Sequence, residues 1–383
     1  MLPAYLLRPE LPEDSLGSEK LRRFDGETEY DLVFLGSSRI YRAFDPHVFD
    51  EELEARGCEV SSFNLGVGSM RPHEMNNMLD EVLKRRNSRL RFVVIELMDW
   101  SPTVLSGMET HDRTVHWHTT EEAWSAAETV WHSRQDLVAR FEGLTNLATS
   151  WLRRQLNHGR GRVWVHEKRG VAPIDASGSG FIALDNETGA YYEQRRARFL
   201  RKYRDISLEQ IRKIDAANKK PASLDRFNLD ALLTQQARVK AAGLVPIYVL
   251  PNVRWGTPDL HLLEQHLENV LFFNDTKKYP ELYREEHYFD RGHLNQKGAV
   301  IFSRLLAEEL VETLRNNLQA SGGRQPSGAG RASAKAAERM FDIGSNGPLP
   351  VLNLSSVGGV RSGGPTLTVR SGVRENCQRS MEC

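Results

Sequence analysis

Short apolar runs recur along this chain, separated by helical segments, and that alternation restricts the fold more than any other feature. Asp31 to Leu35 reads Asp-Leu-Val-Phe-Leu and stops at Gly36, and Cys58 to Leu65 is a second run, closed by Asn64-Leu65-Gly66-Val67-Gly68-Ser69. Arg91 to Leu97 is a third and strongly apolar one; Gly243 to Leu250 makes a fourth, and Val270 to Phe273 a short fifth. Runs this short suit strands buried on both faces. Pro46 to Arg56 and Pro72 to Arg86 carry helical periodicity between them, the first with Asp45 as N-cap and Pro46 at its first position. Gly298 to Leu314 closes the pattern as a helix with Val300, Ile301, Leu305, Leu306 and Leu310 along its apolar side. Strands alternating with helices predict a parallel sheet covered on both faces.

Between Ser101 and Ala242 the pattern changes to charged amphipathic stretches, Glu121 to Leu156 and Tyr191 to Ile214, on either side of a Gly-rich, loop-like segment at Gly159 to Gly189. This is a helical insertion, 101–242, between the third and fourth strands. The expected organisation is an N-terminal extension at 1–30, an α/β domain at 31–316 that contains the insertion, and a disordered tail at 317–383, where composition falls to Gly, Ser, Arg and Pro without periodicity.

With 383 residues, 40% of them hydrophobic, the chain is long enough to bury a large core. Its 51 basic and 51 acidic residues balance, so no global field draws it to nucleic acid or to an anionic membrane surface. Cys58, Cys377 and Cys383 have no metal-ligand spacing and imply no disulfide framework. The opening apolar stretch, Leu2 to Leu7, is too short for a signal peptide and has no basic residue before it, and nothing downstream resembles a spanning helix. As written, the chain is expected to be cytoplasmic, unless an N-terminal signal or anchor precedes it. Its oligomeric state is left open.

Three strand-end segments carry candidate chemistry: Gly36-Ser37-Ser38-Arg39, Gly66-Val67-Gly68-Ser69 and Met98-Asp99-Trp100. In open parallel sheets ligands sit beyond the carboxyl ends of the strands, so these loops converge on one crevice. Near the C-terminus stands Asp290-Arg291-Gly292-His293. An Asp and a His three positions apart in a tight turn can place the carboxylate against one imidazole nitrogen and leave the other to take a proton from a serine.

In these blocks the chain resembles the SGNH, or GDSL-type, superfamily of serine esterases and deacetylases. Gly36-Ser37-Ser38 is similar to the family's Gly-Asp-Ser, which makes Ser38 the counterpart of the nucleophile. Asn64 to Ser69 resembles the second block, whose backbone N–H donates to the oxyanion, here from Gly68 or Ser69. Asp290 and His293 match the Asp-x-x-His of the last block. The order along the chain also agrees, and the resemblance spans about 31–100 and 243–315. The third block departs: Trp100 stands where the family carries an Asn that donates to the oxyanion. Gly-Ser-Ser-Arg sequences without that Asn form a bacterial subgroup of the family.

The resemblance implies a flavodoxin-like three-layer α/β/α sandwich and a serine esterase or deacetylase that removes a small acyl group from a small-molecule or carbohydrate ester, with no metal or organic cofactor. An O-acyltransferase with the same triad, or a non-catalytic SGNH-like binding module, are the alternative readings. Arg39 either pairs within the domain or holds an anionic substrate group, and Trp100 is expected at the mouth of the crevice. Ser37 is read as structural. The cluster His111, His116, Trp117 and His118 has no carboxylate at ligating spacing and is read as no metal site. Trp124, Trp131 and Trp151 are expected to pack the helices of the insertion.

Overall fold

In the computed structural model the residues described are 16–26, 29–85, 88–100, 112–133, 135–156, 178–202, 207–253 and 257–322. The chain divides into two compact units, Met1–Thr313 and Leu314–Cys383. Of the second, the described residues continue the last helix only, so most of 317–383 lies outside the described residues.

The first unit is an α/β protein. Strands β1 (Leu32–Leu35), β2 (Ser62–Asn64), β3 (Phe92–Glu96), β4 (Val245–Leu250) and β5 (Val270–Phe272) form one all-parallel sheet in the order β2-β1-β3-β4-β5. Leu32 pairs with Ser62 on one side and with Phe92 on the other, and Phe92 in turn with Val245. Every residue of β1 and β3 is buried. This is the order of a flavodoxin-like sandwich, and its strand order reverses between β1 and β3. The carboxyl ends of those two strands therefore open the crevice where a ligand can enter from outside the sheet.

The helices are α1 (Leu16–Phe24), α2 (Ser38–Ala43), α3 (Pro46–Ala55), α4 (Pro72–Arg85), α5 (Asp112–Trp117), α6 (Thr120–His132), α7 (Leu137–Gln155), α8 (Ala190–Lys202), α9 (Ser207–Asn218), α10 (Arg226–Ala241), α11 (Pro258–His261) and α12 (Gln296–Gly322). Asp45 caps α3 by accepting from His47 N, with Pro46 in the first turn. One apolar cluster joins α1 (Leu21, Phe24), α4 (Met75, Met78, Leu79, Val82) and α10 (Leu232, Val239) to inner residues of β1, β3 and β4. Leu21 and Phe24 bring the segment before the first strand into this core.

The insertion departs from the sequence expectation in its breaks. Glu121 to Leu156 is two helices, not one: Ser133 Oγ donates to Val130 O and ends α6, and Asp136 accepts from Ala139 N and starts α7. In Tyr191 to Ile214 the described residues are helical as α8 and α9, and 203–206 lie outside the described residues. The tryptophans also differ from expectation. Trp117, with Ala126, Val130 and Leu147, forms a small separate core, whereas Trp124 and Trp131 are 70% and 59% exposed. They lie on the helix face away from Ala126, Thr129 and Val130, the buried residues of α6. Trp151 is half-buried and donates from Nε1 to Thr120 Oγ1 across the helix pair. Among the described residues no helix is long and apolar enough to cross a membrane.

Candidate active site

The first loop is set by a buried acid that the sequence reading passed over. Glu96 ends β3 with its side chain fully buried, and it accepts from Ser37 N at 2.5 Å, from Ser37 Oγ at 3.2 Å and from Arg39 Nε at 2.6 Å. Ser37 Oγ accepts from Arg39 N and so caps α2. A Cβ on Gly36 would stand 2.8 Å from Glu96 Oε2 and 2.4 Å from Ile40 Cγ1, so only glycine fits between the strand and its cap. The chain then turns sharply, and Ser38 opens α2 half-buried. Arg39 is engaged by Glu96. The lone carboxylate in Phe92-Val93-Val94-Ile95-Glu96 was the available sequence signal, since a buried charge is held by partners.

The second loop lies alongside the first because backbone pairing continues past the strands: Leu65 N donates to Phe34 O and Val67 N to Gly36 O. Asn64 locks the two together. Its Nδ2 donates to the carbonyls of Ile40 and Phe44 at the end of α2, and its Oδ1 accepts from Gly66 N. Lys20 of α1, fully buried, donates to Gly66 O at 2.6 Å and sits 3.9 Å above the Tyr41 ring. Burial, and then the charge of Arg42, pushes its ammonium well below the ordinary lysine range. Arg113 of α5 donates to Gly68 O at 2.8 Å and pairs with Glu74. Ser69, exposed, has φ of 60°, a left-handed conformation that costs a non-glycine residue energy and persists only where neighbours impose it. Among the described residues no hydrogen bond is recorded for the backbone N–H of Ser38, Gly68 or Ser69.

The third piece is a turn closed on itself. Tyr288 and Leu294 form an antiparallel bridge, and Phe289 N donates to His293 O. Asp290 Oδ1 accepts from Gly292 N at 2.7 Å and from His293 N at 3.1 Å. Asn295 then starts α12, its Oδ1 accepting from Gly298 N, and a Cβ on Gly298 would come 2.2 Å from His287 O. The turn holds His293 between two partners: Nδ1 is 3.0 Å from Asp290 Oδ1 and Nε2 is 2.8 Å from Ser38 Oγ. Burial alone would raise the Asp290 carboxyl. The hydrogen bond from His293, the charges of His293 and Arg195 and the Gly292 N–H outweigh it and hold the group below the usual carboxylate range.

Trp100, at the end of the β3 loop, is buried. Its side chain lies within the main apolar cluster, 4% exposed, with the ring edge-on to His73 at 4.9 Å, and its backbone N–H donates to Asn228 Oδ1. Two insertion residues that no motif marked reach the site. Arg113 holds the Gly68 loop, and Arg195 of α8 places Nε 2.7 Å from Asp290 Oδ2 and Nη2 3.0 Å from His293 Nδ1. His118 is buried against Trp117 with Nδ1 on Thr114 O, and His111 lies outside the described residues. Among the described residues no three His, Cys, Asp or Glu side chains gather as a metal site would require.

A serine hydroxyl, an imidazole and a carboxylate thus stand in series, the serine just beyond the carboxyl end of β1, next to the reversal of strand order. No protein-family model and no curated protein matches this chain.

Proposed function

We propose that the chain is a serine hydrolase of the SGNH type, acting on a carboxylic ester of small acyl size. The observation that carries this reading is the series Ser38 Oγ, His293 Nε2 at 2.8 Å, and Asp290 Oδ1 at 3.0 Å from His293 Nδ1. In this mechanism Ser38 Oγ bonds to the ester carbonyl carbon while His293 Nε2 takes the hydroxyl proton. Asp290 accepts from Nδ1 and stabilises the imidazolium. The free N–H groups of Ser38 and of Gly68 or Ser69 are the candidate donors to the oxyanion. Collapse breaks the bond to the leaving oxygen, which receives the proton from His293. Water, deprotonated in turn by His293, then attacks the acyl-enzyme, releases the acid and restores Ser38.

Arg113 supports the oxyanion role of the second loop by a simple constraint. The C=O of Gly68 and the N–H of Ser69 belong to one trans peptide and point in opposite directions. A guanidinium holding Gly68 O therefore aims Ser69 N–H away from itself, at a fixed angle.

A fluorophosphonate probe followed by peptide mass spectrometry tests the nucleophile, with turnover of a chromogenic acetate ester measured alongside. The expected outcome is a label on Ser38, and a loss of turnover of roughly 10⁴ or more in Ser38→Ala with little change in stability. A label on Ser37, or an active Ser38→Ala protein, would overturn the assignment.

A further inference from the structure

Arg195 stands where two demands on one nitrogen collide. Its Nη2 lies 3.0 Å from His293 Nδ1, and Asp290 Oδ1 lies 3.0 Å from the same atom. A neutral ring nitrogen carries either a proton or a lone pair. With the proton on Nδ1, Asp290 accepts it and Nε2 is bare toward Ser38, as a base must be. With the lone pair on Nδ1, Arg195 donates to it, the proton sits on Nε2 and is donated to Ser38 Oγ. The imidazole then cannot take the serine's proton. A guanidinium N–H aimed at a lone pair is a charge-assisted hydrogen bond, whereas one aimed at another N–H is repelled, so Arg195 in this place weights the equilibrium toward the idle tautomer, against the pull of Asp290 on an Nδ1 proton.

The guanidinium holds Asp290 through Nε, 2.7 Å from Oδ2, and it is the Nη2 arm that can be drawn off His293. The Arg195 side chain is 31% exposed against 6% for Asp290, and Nη1 makes only a long contact, 3.4 Å to Tyr191 Oη. Its surroundings attract anions. Arg196, next on α8, donates to the carbonyls of Tyr288 and Phe289, neutral acceptors that leave its charge uncompensated. Arg291 is exposed in the turn between Asp290 and His293 and has no ion pair among the described residues. Glu193, Glu285 and Glu286 are exposed on the neighbouring segments and offset part of this field.

The geometry points to Arg195 as a specificity switch: an anionic group on the ester draws its guanidinium off His293 Nδ1 and so releases the tautomer that serves Ser38. The inference rests on the serine-hydrolase reading and adds the substrate class, an ester whose alcohol or acyl portion bears a carboxylate, sulfate or phosphate. The switch itself forms no covalent bond. One proton leaves Nε2 to solvent and one is taken up at Nδ1, where Asp290 accepts it.

Two acetate esters with the same aromatic frame separate the possibilities: 4-acetoxybenzoate, which is anionic, and its neutral methyl ester. Comparing variant with wild type on each ester cancels their intrinsic reactivity. Arg195→Ala is expected to lower kcat/KM about 10-fold or more for the anion and to raise it about 3-fold or more for the neutral ester. Labelling of Ser38 by a neutral fluorophosphonate should quicken in the same variant, and added salt should erode the preference for the anion in wild type only. A thermal midpoint accompanies each measurement, and Arg195→Gln replaces the alanine variant if that one does not fold. Equal losses on both esters would show that Arg195 merely steadies Asp290, and would overturn the switch. Unchanged rates on both would overturn it too. A wild-type protein that neither turns over an ester nor takes the label would sink the hydrolase reading itself, and that result is separable because labelling requires no anion.

Discussion

The two halves of the insertion hold to the rest of the protein by different means. The α6–α7 pair packs chiefly on itself, around Trp117, Ala126, Val130 and Leu147, and leaves Trp124, Trp131, Leu137, Val138 and Phe141 exposed. Residues 178–202 bury Phe181, Leu184 and Phe199 and are tied down in addition by long-range polar bonds. Asn64 N donates to Ser179 O, Arg42 reaches Ile182 O and Glu187, Asp185 accepts from Gln296 N, and Arg195 and Arg196 grip the 288–293 turn. Apolar burial holds a helix pair together without fixing where it points, because it is non-directional. Hydrogen bonds and ion pairs fix position, and the segment that carries them is the one that meets Asp290 and His293.

The strongest way to break this comparison is to loosen the docked segment. Phe181 packs with Ala183 and Ala299, and Phe181→Ala is expected to cost about 3 kcal/mol in denaturant unfolding and to lower ester turnover as well, since Arg195 follows it in the same segment. Full activity at reduced stability would show that 178–202 is not part of the working site.

Arg113→Ala is the next test, at the near end of the insertion. Without the guanidinium on Gly68 O, kcat should fall about 10-fold or more with KM little changed, the mark of an interaction made in the transition state. A rise in KM alone would assign Arg113 to substrate binding instead.

The junction between the α5–α7 region and the sheet domain should respond to acid. His73 Nε2 meets Thr129 Oγ1 at 2.9 Å, with the Trp100 and Trp117 rings against it. Burial, and then the charge of His118, lowers its pKa to about 3, and burial lowers that of His118 to about 4 against the pull of Thr114 O. Folded values below the unfolded imidazole value of 6.5 mean that the unfolded chain binds more protons in between. Stability from these groups is complete above about 6.5 and is lost as pH falls toward 4 and 3. Asp50 and Glu122, raised by burial to about 6 and about 7, titrate with the opposite slope and mask part of the loss. The expectation is therefore a difference: from pH 6 to 4, His73→Phe should gain on wild type by about 1 kcal/mol per pH unit. Parallel stability curves would count against a buried neutral His73.

The smallest effect belongs to the outer face of the helix pair. Trp124→Gln and Phe141→Ser should each change unfolding free energy by no more than about 0.5 kcal/mol and leave turnover unchanged. A larger cost would mean that this face packs against something.

The strand runs and the helix between β1 and β2 were legible because buried strands and capped helices are written in neighbouring residues, as in Asp45-Pro46 and Leu32-Val33-Phe34-Leu35. The Asp290 turn was legible for the same reason: its hydrogen bonds to Gly292 and His293 span two and three residues. The breaks inside the insertion were less so, since Ser133 and Asp136 interrupt an apolar pattern that continues on both sides.

By itself, then, the sequence determined the parallel α/β frame, the strand ends that bear Ser38 and Gly68, and the self-closing turn that presents His293. Only the tertiary structure decided who surrounds them. Glu96 meets Ser37 across 59 residues, Arg113 meets Gly68 across 45, and Arg195 meets His293 across 98. It also decided that Trp100 lies against His73 and that Trp124 and Trp131 face outward. Periodicity reports what a residue does with its near neighbours along the chain. Pairings over such separations follow from the order of the strands in the sheet and from where an insertion folds back, and no local pattern carries that information.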